Sequence, residues 1–95
     1  MLPEYFSWLE TRPECHLPPE DQGSCGSCYA FASSSMLSER LCINTHLIPN
    51  YLSAQYIISC DGLDFGCMGG HLENTVSFLS DPIPLRSAFP YVGKE

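Results

Sequence analysis

Ninety-five residues amount to one small domain or a piece of a larger one, and a composition of 44% hydrophobic and 16% charged residues excludes a disordered chain. A net charge of −7, from 4 basic against 11 acidic side chains, argues against nucleic acid and anionic membranes as partners. Six cysteines are too many for an ordinary cytosolic domain and point to an oxidising compartment, where cross-links reinforce a small core.

Residues 1–24 read as irregular. Pro3, Pro13, Pro18 and Pro19 oppose helix and central strand there, and Tyr5, Phe6 and Trp8 are expected to pack as a short extended piece. The beginning of the chain lacks the basic start and apolar stretch of a signal peptide, and no apolar run approaches the roughly 20 residues of a membrane span. A helix is predicted from Ser27 or Cys28 to Cys42, with Gly26 as a flexible entry and Ser27 as N-cap. Cys28, Phe31, Ala32, Ser35, Met36 and Leu41 follow helical steps, and the intervening Ala30, Ser33, Ser34 and Ser38 are small enough to let other backbone approach. Glu39 and Arg40 fit an exposed last turn.

A second helix is expected over 53–60, capped by Ser53 after Pro49. A loop with Gly62, Gly66, Gly69 and Gly70 comes next. A third helix should run from Gly70 or His71 to Ser80, with Leu72, Val76 and Leu79 on its apolar face, until Pro82 and Pro84 stop it. Residues 87–95 read as extended.

The chemistry concentrates in residues 22–31. A cysteine that opens a helix meets unpaired N–H groups and the positive end of the helix dipole, which favour the thiolate, the nucleophilic form. Gln22 lies six residues before Cys28 and carries an amide donor; such an amide beside a backbone N–H is how an oxyanion hole is built. Two other readings remain open here. Cys25 and Cys28 could form a thioredoxin-type redox pair, although prolines stand where that motif needs a strand. They could also be half of a zinc site with Cys60 and Cys67, although those two lie seven apart rather than in a short pair.

The run Asp21-Gln-Gly-Ser-Cys-Gly-Ser-Cys-Tyr-Ala-Phe-Ala32 resembles the active-site motif of the papain-like cysteine peptidases, which include the cathepsins. Residues 2–8 are similar to the mature N-terminus of that family, 52–61 to its second helix, 66–70 to its substrate-binding loop and Phe89-Pro-Tyr91 to the aromatic–Pro–Tyr motif after its third helix. The resemblance implies an α+β papain-like fold, of which residues 1–95 are mainly the helical left domain with its long central helix. It implies a thiol peptidase in which Cys28 attacks the peptide carbonyl to form an acyl-enzyme, and in which Gln22 and the Cys28 N–H hold the oxyanion. Gly26, Gly69, Gly70, Phe65, His71 and Leu72 are then the expected substrate-binding residues. Gly69 and Gly70 would let an extended peptide approach the backbone, although alone they also suit an ordinary turn.

The resemblance further implies the pairs Cys25–Cys67 and Cys15–Cys42, leaving Cys28 as nucleophile and Cys60 unpaired within the chain. It implies no metal and no cofactor, a peptide or protein substrate, and a lysosomal, vacuolar or secreted location. A papain-like peptidase also needs a histidine base and an orienting asparagine, roughly 130–150 residues after the nucleophile. The chain ends 67 residues after Cys28, and His16, His46 and His71 match neither position. The right domain that would supply them is thus expected outside the chain, and the 95 residues alone are expected to be inactive. An inactive homologue that only binds proteins is the alternative. Subfamily signals are mixed: Cys15 and Cys42 are similar to cathepsin B-like members, whereas Tyr29, in place of the usual tryptophan, and Phe89-Pro-Tyr-Val-Gly93 are similar to cathepsin C.

Overall fold

The computed structural model describes residues 2–45 and 50–94. His46, named above as matching no catalytic position, and Pro49, named as preceding the second helix, lie outside them. In chain order the elements are a single helical turn α1 (Trp8–Thr11), a 3-10 turn (Pro13–Cys15), the long helix α2 (Cys28–Thr45), α3 (Ala54–Cys60), a second 3-10 turn (Gly66–Met68) and α4 (Leu72–Phe78). The described residues contain no named strand; one antiparallel bridge joins Leu52 to Leu85. Helix α2 packs on both α3 and α4.

The N-terminal arm is not irregular throughout. Its turn forms where Pro13, which lacks an N–H, starts a 3-10 segment at the position that needs none. The arm is fastened by the Cys15–Cys42 disulfide and by Arg12, whose guanidinium donates to the carbonyls of Ile43 (3.1 Å) and Cys42 (3.3 Å). These carbonyls belong to the last turn of α2, which has no intrahelical donors, and a cation suits the negative end of the helix dipole. Tyr5, Phe6 and Trp8 stay exposed, with Phe6 edge-on to Trp8 at 4.8 Å.

Helix α2 extends three residues past the expected Cys42, and its buried side differs from the expected one. Tyr29, Ala30, Ser33, Ser34, Ser38 and Cys42 are buried, while Cys28, Ala32, Met36 and Leu41 are exposed. The smallest side chains allow the closest approach, so close backbone packing outweighs the apolar count. Ser38 shows how polar groups survive there. Its hydroxyl donates to the Ser34 carbonyl (2.6 Å) and accepts the Leu52 N–H (2.9 Å), so α2 directly holds the segment leading into α3. Glu39 is half-buried rather than exposed.

Helix α3 begins as expected, with Ser53 Oγ accepting the Tyr56 N–H (3.0 Å). The same hydroxyl donates to the Phe89 carbonyl at 2.7 Å. Helix α4 ends at Phe78, earlier than expected, and Leu72 and Val76 are each 55% exposed. Its buried residue is Thr75, which turns the helix inward through a hydrogen bond rather than through an apolar stripe. The core is formed by Cys25, Tyr29, Ala30, Ala54, Ile57 and Ile58, with Phe31, Phe78, Leu79, Ile83 and Tyr91 against it.

The final segment is not simply extended: a turn occupies residues 86–89. Beyond that turn, buried Gln55 fixes residues 92–94. Its Oε1 accepts the Val92 and Gly93 N–H groups, and its Nε2 donates to the Lys94 carbonyl and to Ser59 Oγ.

Candidate active site

Cys28 is the first residue of α2, a free thiol and exposed. The helix starts there because the Ser27 carbonyl accepts the N–H groups of Ala30 and Phe31. The Ser27 side chain does not meet the helix as expected of a cap; it is fully buried with its hydroxyl 3.1 Å from Tyr91 Oη. Tyr91 Oη also donates to the Gln22 carbonyl, and its ring packs edge-on to Phe31 at 4.8 Å. One tyrosine from the Phe-Pro-Tyr motif thus braces both ends of the segment that leads to Cys28. The motif was visible in the sequence, but its contact with residues 22–27 was not.

Gln22 is half-buried, and its Nε2 donates to the Cys25 carbonyl at 2.8 Å. This bond curls residues 22–25 into a compact loop and uses one of the two amide N–H groups, leaving the second N–H of the same nitrogen as a donor. No described residue donates a hydrogen bond to the Cys28 sulfur or accepts one from it.

The site segment is joined to the 65–70 loop at three points. Cys25 and Cys67 form a disulfide. The Gly26 N–H donates to the Cys67 carbonyl at 2.8 Å, so close that a Cβ on residue 26 would lie 2.6 Å from that oxygen. Tyr29 Oη donates to the Gly66 carbonyl at 2.7 Å. The residue that departs from the usual tryptophan therefore has a role that an indole, with its N–H elsewhere on the ring, would fill differently. With Cys25 bonded to Cys67 and not to Cys28, the redox-pair reading fails. The zinc reading fails too, since two of its four thiolates are consumed.

The loop brings together most of the expected substrate-binding residues. Phe65 N–H donates to the Gly69 carbonyl at 2.9 Å, which closes the loop around the 3-10 turn. Gly69 adopts φ +114°, a conformation that side chains resist. Phe65 and His71 are exposed, as is Leu72, the first residue of α4. Gly70 owes its identity to Asp64: a Cβ there would come within 2.6 Å of Asp64 Oδ1. That oxygen accepts the His71 N–H at 2.7 Å, and Oδ2 accepts the Thr75 hydroxyl at 3.0 Å. Nothing in the sequence marked Asp64, because its partners lie seven and eleven residues on. His16 lies elsewhere: with Glu39 and Ile43 it lines a small crevice near the far end of α2. At 1.5 Å per residue, Glu39 is roughly 16 Å along the helix from Cys28.

A cleft of about 690 Å³, lined by Pro18, Glu20, Asp21, Tyr51, Arg86 and Tyr91 among others, lies behind the Gln22 loop and includes neither Cys28 nor the glycine loop. Among the described residues no helix is long and apolar enough to cross a membrane.

The chain is similar to known proteins along nearly its whole length. It is 41% identical over 80 residues to the cathepsin B-like CP2 of Giardia intestinalis, covering 83% of this chain and 27% of that protein. It is 32% identical over 93 residues to papain of Carica papaya, covering 97% of this chain and 26% of papain. The chain therefore spans about a quarter of the curated relatives it matches. Among solved structures it superposes on the Carica candamarcensis cysteine protease CMS1MS2, crystallised with E-64, with a TM-score of 0.87 and 29% identity over 98% of this chain and 43% of that one. It superposes on the proform of the ragweed pollen cysteine protease Amb a 11 with a TM-score of 0.82 and 31% identity over 90% of this chain and 27% of that one. With a family model, that of the papain family of cysteine proteases, matching residues 2–95, the chain belongs to that family.

Proposed function

We propose that these residues form the nucleophile-bearing lobe of a peptidase that cleaves peptide bonds through Cys28. The observation that supports this most is the free, exposed thiol at the first position of an 18-residue helix, stapled to a glycine loop with an exposed edge. The Cys28 sulfur attacks the substrate carbonyl carbon. The resulting oxyanion is held by the Cys28 N–H and the second N–H of the Gln22 amide. Collapse expels the amine, which leaves with a proton from the base, and water then hydrolyses the thioester. Gly69 and Gly70 pair with the extended substrate, while Phe65, His71 and Leu72 border its side chains and Gly26 keeps the approach to the sulfur open.

The base and its orienting asparagine are assigned to a second lobe outside these residues. Disulfides and family membership fit a lysosomal, vacuolar or secreted setting.

The test grafts residues 2–95 onto the remaining three-quarters of papain and measures hydrolysis of a fluorogenic dipeptide. The graft is expected to turn over substrate and to be labelled by E-64 at Cys28, with Cys28→Ala abolishing both. The ungrafted 95-residue chain is expected to show no turnover. A folded graft without turnover or labelling would favour a binding homologue, and inhibitor-sensitive turnover by the chain alone would overturn the placing of the base.

A further inference from the structure

Asp64 holds the loop from within. It is buried, and its carboxyl takes the N–H of His71, the hydroxyl of Thr75 and, more weakly, the amide of Asn74 at 3.5 Å. Three donors from the start of α4 thus converge on one side chain of the preceding loop. The Gly70 backbone lies so near it that no side chain fits between. Asp64 therefore fixes the conformation of the chain on both sides of Gly70.

A second carboxyl is buried beside it. Asp61 is only 5% exposed, and with Asp64 it lines a cleft of about 450 Å³ between the end of α3 and the loop. One of its oxygens, Oδ1, accepts the Leu63 N–H at 3.0 Å. The other, Oδ2, is buried with no donor in reach. Two buried carboxylates side by side, one with an orphaned oxygen, would be costly, whereas a single proton between them turns repulsion into a hydrogen bond. The surroundings offer no other charge to do this. Ile58 and Ser59 face the cleft from α3, Phe65, Gly66 and Met68 from the loop, and Asn74 and Thr75 meet Asp64 from α4. The other titratable side chains on these elements, Tyr56 and Cys60 on α3 and His71 and Glu73 at α4, lie outside that lining, and the last three are exposed.

We propose that Asp61 and Asp64 are a pair of positioning residues sharing one proton, and that this carboxyl–carboxylate bond sets the Gly69–His71 backbone in the form a peptide substrate meets. Only the role toward substrate rests on the peptidase reading; the shared proton does not. The two groups are pushed apart as such a pair requires. Burial, together with the bond to Asp64, raises the Asp61 carboxyl to about 6. Burial acts against ionisation of Asp64 too, but the donors from Asp61, His71, Thr75 and Asn74 prevail and hold it below 3.8. The pair titrates as a unit, with one proton held between those limits.

The pH dependence has a definite sign on each side. Above about pH 4 the unfolded Asp61 has lost its proton while the folded one keeps it, so stability falls as pH rises toward and through 6. Asp64 is ionised when folded at a pH where its unfolded form is protonated, so stability falls again as pH drops below about 4. Stability is thus greatest near pH 4, and the shared proton is kept up to about pH 6.

The experiment is NMR on the 95-residue chain, reading the two carboxyl carbons and the protection factor of the His71 amide from pH 3 to 8. Asp61 is expected to titrate near 6, with His71 protection falling through the same midpoint. Asp61→Asn, which keeps a donor toward Asp64, is expected to retain that protection and lose its pH dependence. Asp64→Asn is expected to lower it roughly tenfold to a hundredfold at every pH. An Asp61 carboxyl that titrates near 4, or His71 protection that ignores its ionisation, overturns the proposal. Neither readout involves hydrolysis, so an inactive graft and a normally titrating Asp61 are separate failures.

Discussion

Two regions of this chain are fastened by similar covalent means and differ in everything else. The N-terminal arm has one disulfide and one guanidinium; its aromatic side chains remain exposed and α1 buries nothing. The site segment has one disulfide as well, but around it lie the Gly26 and Tyr29 hydrogen bonds, the Tyr91 brace and the packed core. The lesson is that a cross-link shortens the unfolded chain's freedom, while only the surrounding contacts define where atoms sit.

Removing each disulfide tests this most severely. Cys25 and Cys67 close a loop with a sequence separation of 42, Cys15 and Cys42 one of 27. Chain entropy alone assigns them about 4 and about 3.5 kcal/mol, nearly the same. Chemical denaturation of the two double-serine variants should therefore show similar losses of stability. Their local effects should part: without Cys25–Cys67 the amides of Gly26 and Phe65 lose protection, whereas without Cys15–Cys42 the loss stays within residues 8–16 and the end of α2. Equal local disturbance in both would break the comparison.

A smaller change sharpens it. Gly26→Ala places a methyl 2.6 Å from the Cys67 carbonyl, backbone that cannot swing away. It should cost about 1–3 kcal/mol by denaturation. A neutral outcome would mean that the loop and the site segment are not held as closely as their hydrogen bond indicates.

The least effect separates the regions by single hydrogen bonds. Tyr29→Phe removes the buried bond to Gly66 and should cost about 1 kcal/mol. Arg12→Gln, in the partly exposed arm, should cost about 0.5–1 kcal/mol through the uncapped carbonyls of α2, and this loss should shrink with salt. A Tyr29→Phe loss that also shrank with salt would contradict its burial.

The parts of the fold that the sequence disclosed are those determined within a few residues. Ser53 caps α3 because hydroxyl and N–H lie three positions apart, and Cys28 starts α2 at the point where the glycines end. The disulfides came through family likeness, not spacing. The wrong faces of α2 and α4 share a cause: burial there tracks small polar residues, Ser33, Ser34, Ser38 and Thr75, and the hydroxyls of the last three are satisfied by distant or preceding backbone and by Asp64. A count of apolar positions sees none of that. The one-turn α1 escaped notice because α2 supplies the partner for its neighbour Arg12, thirty residues on. At the site, Gln22, Cys28 and the glycines stood out by type and spacing. The contacts by which Tyr91 and Asp64 hold them became visible only when separate segments met.

Helix α2 is a rod of roughly 27 Å with the free Cys28 sulfur at one tip and the arm's anchor at the other. A tilt of about one degree at the anchored end swings the opposite tip by roughly half an ångström, and misplacement of about an ångström can cost a reaction a hundredfold. On the function proposed above, residues 2–15, far from Cys28, thereby act as the aiming screw of the nucleophile.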